Sequence, residues 1–187
     1  MRLISPSLCC LKLLVASDLP AAGLELGLAF MCRTWPDDAE MREGLAVHLA
    51  VCDLNPGDLL WRVFLIADEC NIAVGHAGFK GGPERGGEVE IYWCVEPRWR
   101  GRRIAQNAAA SLCAHAFLNT EIMAITATIA RQNIASQRVA AALGMRHVER
   151  ELRHGLPLWR VARDDWLARA LPHAGAMPVF AGARPTP

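Results

Sequence analysis

The sequence predicts a single α/β domain with a mixed sheet. Three observations predict it. Between residues 61 and 95, three apolar runs follow one another with short polar links, as in an antiparallel meander. From residue 101, apolar residues recur at helical spacing. Residues 122–129 (IMAITATI) then form a nearly continuous apolar, β-branched run, the pattern of a strand covered on both faces.

The elements follow in order. Residues 8–16, apolar around a single lysine, are expected as the first strand. Ser17 or Asp18 can cap the next helix, with Pro20 in a first turn where its missing N–H costs little. Met41, Leu45, Leu49 and Cys52 space a second amphipathic helix, which Asn55-Pro56-Gly57-Asp58 breaks. The meander strands are 61–67, 72–79 and EVEIYWCV (residues 88–95), with turns at Asp68–Asn71 and in GGPERGG. Ile104, Ala108, Leu112 and Ala116, beside Ala105 and Ala109, mark a long helix whose small residues allow close approach to a sheet. Ile134 to Leu143 predicts a short helix that Gly144 stops. Residues 145–150 and 157–163 are expected strands around a turn at His154-Gly155-Leu156-Pro157. The domain is expected over residues 1–171, with the Pro/Gly/Ala-rich segment 172–187 as a mobile tail.

Composition narrows the function classes. Twenty basic against nineteen acidic residues give a formal charge of +1, unlike the basic excess of a bulk nucleic-acid binder. Seven cysteines are scattered with no CxxC pair or Cys/His cluster, so neither a zinc site nor any other metal is expected, and buried free thiols in a reducing compartment are. The apolar start is short and interrupted by Lys12, which fits a folded element better than a signal peptide. No run reaches the roughly 18 apolar residues of a membrane span, so a cytoplasmic protein without a membrane partner is expected.

The most informative stretch is VEPRWRGRRIA, residues 95–105, between a strand end and a helix start. Gly101 lets backbone approach a ligand, and the helix start offers unpaired N–H donors at the positive end of a dipole. Arg98, Arg100, Arg102 and Arg103 surround that point. The arrangement predicts an anion site suited to a pyrophosphate, and it lacks the Lys-Ser/Thr pair of a Walker loop.

These residues resemble the loop of the GNAT acyltransferase family, Q/R-x-x-G-x-G/A after the fourth strand. Arg100 to Ala105 (RGRRIA) matches its outer positions, with Arg103 where the family usually has glycine. The preceding EIYWCVEP, the NIASQRVAAALG segment from Asn133 and the later WRVARDDW are similar to the ribosomal-protein N-acetyltransferase branch, over residues 60–166. The resemblance implies a three-layer α/β/α sandwich, whose central mixed, mostly antiparallel sheet splays around acetyl-CoA as co-substrate. It further implies Arg98, Arg100, Gly101, Arg102, Arg103, Ile104 and Ala105 on the cofactor, and Asn133 near its pantetheine arm. The Val95 N–H would face the thioester oxygen, and Ser136 the thiolate.

Several of these residues carry a second, structural reading. Asn133 is a favoured N-cap and Ser136 lies in the same first turn. Glu88 and Glu90 share a strand face; Glu88 fits a solvent-facing acid, and Glu90 the branch's general base, with its pKa raised by partial desolvation. Tyr92 shares that face and either lines the cleft or packs. His76 reads as a core or edge histidine and His154 as an exposed turn residue. The expected reaction moves an acetyl group to a primary amine, either a protein N-terminus in an open groove or a small molecule in a pocket built by residues 24–60 and the late hairpin. The resemblance also admits a homodimer. The alternatives are a non-catalytic acyl-CoA sensor or interaction module and a nucleotide-binding protein.

Overall fold

The computed structural model describes residues 1–30, 45–46, 49–50, 62–84, 86–170 and 180–181. Within them, nine strands form one sheet: β1 (Arg2–Ile4), β2 (Ala29–Phe30), β3 (Val63–Ala67), β4 (Ile72–Phe79), β5 (Glu88–Val95), β6 (Ala124–Thr128), β7 (Arg146–Arg153), β8 (Leu156–Ala162) and β9 (Phe180–Ala181). The described helices are α1 (Leu8–Val15), α2 (Leu19–Leu26), α3 (Ile104–Leu118), α4 (Ile134–Ala142) and α5 (Arg163–Ala170). Strands are ordered β7-β8-β6-β5-β4-β3-β1-β9, with β2 beside β4. The β5–β6, β1–β9 and β2–β4 pairs are parallel and the others antiparallel.

The meander, the long helix, the strand after it and the late hairpin stand where the sequence predicts them. Residues 8–16 do not form the expected strand. Leu8–Val15 is a helix, and the first strand is the preceding Arg2–Ile4. Its buried positions are Cys10, Leu11 and Leu14, while Cys9 and Lys12 are exposed, which is a helical stripe. Ser7 accepts a hydrogen bond from the Cys10 N–H and so starts the helix one turn earlier than a strand reading allows. A short apolar run carries too little period to separate the two states. Asp18 caps α2 through the Ala21 N–H, as expected, and Pro20 lies in its first turn. The expected helix over 41–52 falls largely outside the described residues, although Leu45 and Leu49 both pack beside α1 and α2. The tail also lies outside them, except for Phe180 and Ala181, which pair with Leu3 and Ile4.

Two apolar clusters cover the two faces of the sheet. On one side α3 presents Ala108, Ala109, Leu112 and Ala116 to Val89, Ile91, Ile125 and Phe79, all fully or almost fully buried. Alanines on that stripe let the helix lie close, and removing a side chain such as Leu112 from water contributes roughly 1.5–3 kcal/mol. On the other side α1 and α2 pack on Val63, Leu65 and Ala67 of β3 and beside Tyr92. This is the expected layered arrangement.

The sheet is not continuous through its centre. β5 pairs with β6 only over Glu88↔Ala124, Val89↔Ile125 and Glu90↔Thr126. Beyond Glu90, β5 continues to Val95 on β4 alone, and β6 continues to Thr128 on β8 alone. The two strands therefore part as the expected splay requires, and a wedge opens between them.

Candidate functional site

The wedge exposes backbone donors. The Lys80 N–H donates to the Glu90 carbonyl and the Glu96 N–H to the Val74 carbonyl, both at 2.9 Å. Even-numbered residues of β5 therefore spend their polar groups on β4, and by the two-residue period the N–H groups of Trp93 and Val95 face the gap. The Val95 carbonyl accepts from Arg100 Nε at 2.9 Å.

After Val95, a 3-10 turn over Pro97–Trp99 leads to Arg100 and Gly101, and then to α3. Gly101 has φ +76°, and a Cβ there would meet nothing within 4 Å among the described residues. The glycine answers a backbone conformation, and it leaves the loop surface open. Arg103, the N-cap residue of α3, has φ 59° and ψ 12°. It holds the left-handed conformation that a glycine adopts at no steric cost, with its side chain exposed. Arginine thus keeps the backbone path that a glycine would take there.

The start of α3 differs from the other capped helices. Ser7, Asp18 and Asn133 cap α1, α2 and α4 through their side chains, whereas no side chain among the described residues caps α3. Its first turn, from Ile104 to Gln106, lines a cleft instead. That cleft, about 500 Å³, is lined by Trp93, Cys94 and Val95 of β5, by Trp99 to Gly101 and Arg103 to Gln106, and by Asn133, Ala135, Ser136, Arg138 and Val139 of α4. Cationic side chains, uncapped amides and an apolar floor fit a ligand with a polyanionic end and a neutral arm.

The sequence-predicted residues divide clearly. Val95, Arg100, Gly101, Arg103, Ile104, Ala105, Asn133 and Ser136 all line the cleft. Arg98 and Arg102 do not: Arg98 is exposed on the 3-10 turn, and the Arg102 guanidinium stacks 4.9 Å from the Trp99 ring centre. Asn133 caps α4, accepting from the Ser136 N–H at 3.0 Å, and it also lines the cleft. Trp93, Trp99, Gln106 and Arg138 were not singled out from sequence. Arg138 stands three residues after Ala135 on one face of α4, and that i,i+3 spacing was the available signal.

Glu90 stands apart from the cleft lining. Its side chain, 6% exposed, lies on the even face of β5. Oε1 accepts from Thr128 Oγ1 at 2.6 Å and pairs with Lys80 Nζ at 2.7 Å; Oε2 pairs with Arg153 Nη1 at 3.2 Å. Burial pushes the carboxyl up, but hydrogen bonds from Lys80, Thr128 and Arg153, with the Lys80 charge, outweigh it and hold the group below the usual range. The raised pKa expected from sequence is thus reversed, because desolvation is met by two cations and a hydroxyl. Glu88 is half-exposed and paired with Arg160 at 2.7 Å. Tyr92 packs against the α1–α2 cluster and the His76 ring, and burial raises its phenol. His76 is buried, and His154 is exposed in the turn between β7 and β8.

Residues 10–146 match the family model described as an acetyltransferase (GNAT) domain. The chain belongs to the GNAT acetyltransferase family. The splayed sheet and the arginine loop described above both belong to this acetyltransferase domain. No curated protein matches the chain significantly in sequence. Among solved structures, it is similar to a spermidine N-acetyltransferase chimera from Vibrio cholerae and hSSAT, with 14% identity, TM-score 0.61, and 90% of this chain and 100% of that one covered. An acetyltransferase of Agrobacterium tumefaciens shares 21% identity at TM-score 0.55, covering 79% and 82%. The ribosomal-protein-S5-alanine acetyltransferase of Vibrio fischeri shares 18% at TM-score 0.54, covering 67% and 74%. At these identities the likeness is one of fold.

No helix among the described residues is long and apolar enough to cross a membrane.

Proposed function

We propose that this GNAT domain transfers the acetyl group of acetyl-CoA to a primary amine, by direct attack in a ternary complex. The observation that carries the reading is the convergence on one cleft of an uncapped helix start, the Arg100 and Arg103 side chains and the parted β5 edge. Arg100, Gly101, Arg103, Ile104 and Ala105 would hold the pyrophosphate, each charge-assisted bond contributing ~1.5–3 kcal/mol. Asn133 would flank the neutral arm. Acetyl-CoA supplies an activated acyl carbonyl, and the Val95 N–H is the donor available to its oxygen; such donors are worth ~3–4 kcal/mol in a transition state. Ser136, on the cleft wall, would return a proton to the departing thiolate. The remaining acceleration would come from holding amine and thioester together.

Glu90 enters this scheme with a restriction. The base role expected for it would need one of its ion pairs with Lys80 or Arg153 to open, so the scheme leaves the ammonium proton to solvent. That restriction favours, as the second reading, an acyl-CoA-binding module without turnover. The acceptor is a protein N-terminus or a small-molecule amine; structural neighbours named for spermidine and for a ribosomal protein keep both classes in view. The free thiols, Cys10 and Cys113 among them buried, suit a reducing cytoplasm.

Calorimetric titration with acetyl-CoA, with ATP as competitor, followed by thiol-release assays on spermidine and an alanine-initiated peptide, tests the reading. Saturable binding and turnover of either amine support it. Binding without turnover over a broad amine panel supports the module instead. Absence of acyl-CoA binding by the folded protein removes both.

A further inference from the structure

A glutamate as buried as Glu90 is costly unless its charge is met, and here it is met by groups from three neighbouring segments of the sheet. Lys80 follows the end of β4, Thr128 ends β6, and Arg153 ends β7. The partners are also joined to one another. Lys80 Nζ donates to Thr128 Oγ1 at 2.9 Å, Arg153 Nη1 reaches Thr126 Oγ1 at 3.4 Å, and Arg153 Nη2 pairs with Glu84 at 3.0 Å. The network is placed where the sheet needs it. Glu90↔Thr126 is the last pair before β5 and β6 part. Arg153 immediately precedes the His154–Gly155 turn of a hairpin whose register shifts between His147 and Leu152. That hairpin therefore has interrupted pairing along its own length, and the Arg153–Glu90 pair ties its tip to the centre of the sheet.

We infer that Glu90 is a positioning residue, which with Lys80, Thr128 and Arg153 sets the base of the β5–β6 wedge and docks the β7–β8 hairpin beside it. The acceptor amine then meets a wall held by this ion-paired cluster. The kinetic part of the inference rests on the acetyl-transfer reading above; the structural part does not. Deprotonation of the acceptor is left to solvent in this arrangement, since Lys80 and Arg153 engage both carboxylate oxygens.

The experiment compares wild type, Glu90→Gln and Arg153→Met by amide hydrogen exchange, and by kinetics with spermidine and an alanine-initiated peptide as probe acceptors. Arg153→Met alters a side chain that is 20% exposed, so it keeps the test open should Glu90→Gln fail to fold. The expected result is exchange faster by about tenfold or more in residues 146–162 of either variant, with residues 104–118 unchanged. Acceptor KM should rise several-fold in both variants, with kcat at saturating acceptor, acetyl-CoA Kd and the acidic limb of the pH–rate profile close to wild type. Unchanged exchange in the hairpin overturns the inference. So does a kcat collapse of roughly a hundredfold or more in Glu90→Gln alone, with loss of the acidic limb, which is the behaviour of a general base. If neither probe is acetylated by wild type, the acetyl-transfer reading is what has failed, and the exchange result alone decides the clamp.

Discussion

Arg100 donates from Nε to the carbonyl oxygen of Val95, at 2.9 Å, and so fastens the first residue of the arginine loop to the last residue of the splayed strand. The Nε edge of the guanidinium is spent on the protein's backbone, and Arg100 is also one of the residues that line the cleft. The bond links two parts of the proposed chemistry, the phosphate-binding loop and the strand that offers its N–H to the thioester. Arg100→Lys keeps the charge but has no planar fork with which to hold both positions. Acetyl-CoA binding to Arg100→Lys should weaken by roughly 10-fold, the equivalent of one charge-assisted bond of ~1.4 kcal/mol. Calorimetry measures it, and an unchanged Kd would separate Arg100 from the cofactor.

Arg103 offers a converse test, because its backbone has the conformation of a glycine while its side chain does not. The left-handed region costs an L-residue roughly 1–2 kcal/mol, and a glycine in its place loses about 0.4–1 kcal/mol through the freedom of the unfolded chain. Arg103→Gly should therefore be as stable as wild type or slightly more so, by up to ~1 kcal/mol. With one cation removed from the cleft wall, its Kd for acetyl-CoA should rise about three- to tenfold, more at low salt than at high. Thermal melts and titrations at two ionic strengths check both parts. Tighter binding by the glycine variant would mean that Arg103 obstructs the site.

These two loop residues also show what sequence made legible. A glycine among arginines at a strand–helix junction is a local signal, and so is the two-residue period of the meander; both reach the structure intact. Leu8–Val15 was misread because eight mostly apolar residues look alike as strand or helix until a cap is counted. The direction of the Glu90 pKa escapes the sequence for a different reason. Its acidity depends on Arg153, 63 residues away, and on which strand face each residue occupies, and no local pattern carries that register. Arg138 was missed because a cleft wall is assembled by two helix starts from separate parts of the chain.

The Glu90 network makes stability depend on pH in a definite direction. The folded carboxyl titrates below its ordinary value of 4.5, so the folded state holds the carboxylate more firmly than the unfolded chain does. That contribution is fully present above the unfolded pKa and is lost as pH falls through the folded one. Melting temperature should therefore fall on acidification below about pH 4.5 in wild type, and the fall should be shallower in Glu90→Gln, which has no such proton to bind. Melts from pH 3 to pH 7 read the difference. Parallel curves for the two proteins would mean that Lys80 and Arg153 do not stabilise the charge.

The last prediction concerns the far end of α3, away from the cleft. Arg163 donates from Nη1 to the carbonyls of Asn119 and Ile122, at 2.9 and 3.1 Å, and from Nη2 to that of Phe117 at 2.7 Å, with its guanidinium 5.6 Å from the Phe117 ring centre. These carbonyls belong to the last turn of α3 and the link to β6, where the helix leaves acceptors unpaired and its dipole favours a cation. Arg163→Met keeps much of the side chain's volume and removes all three donors. It should cost about 2–3 kcal/mol, which in a chain of this size lowers Tm by roughly 5–10 °C. Because the cleft lies at the opposite end of the helix, acetyl-CoA Kd measured well below the melting point should stay within about twofold of wild type. A large loss of affinity would show that α3 transmits the state of its C-terminal cap to its N-terminal anion site, and a Tm near wild type would show that water replaces the guanidinium without cost.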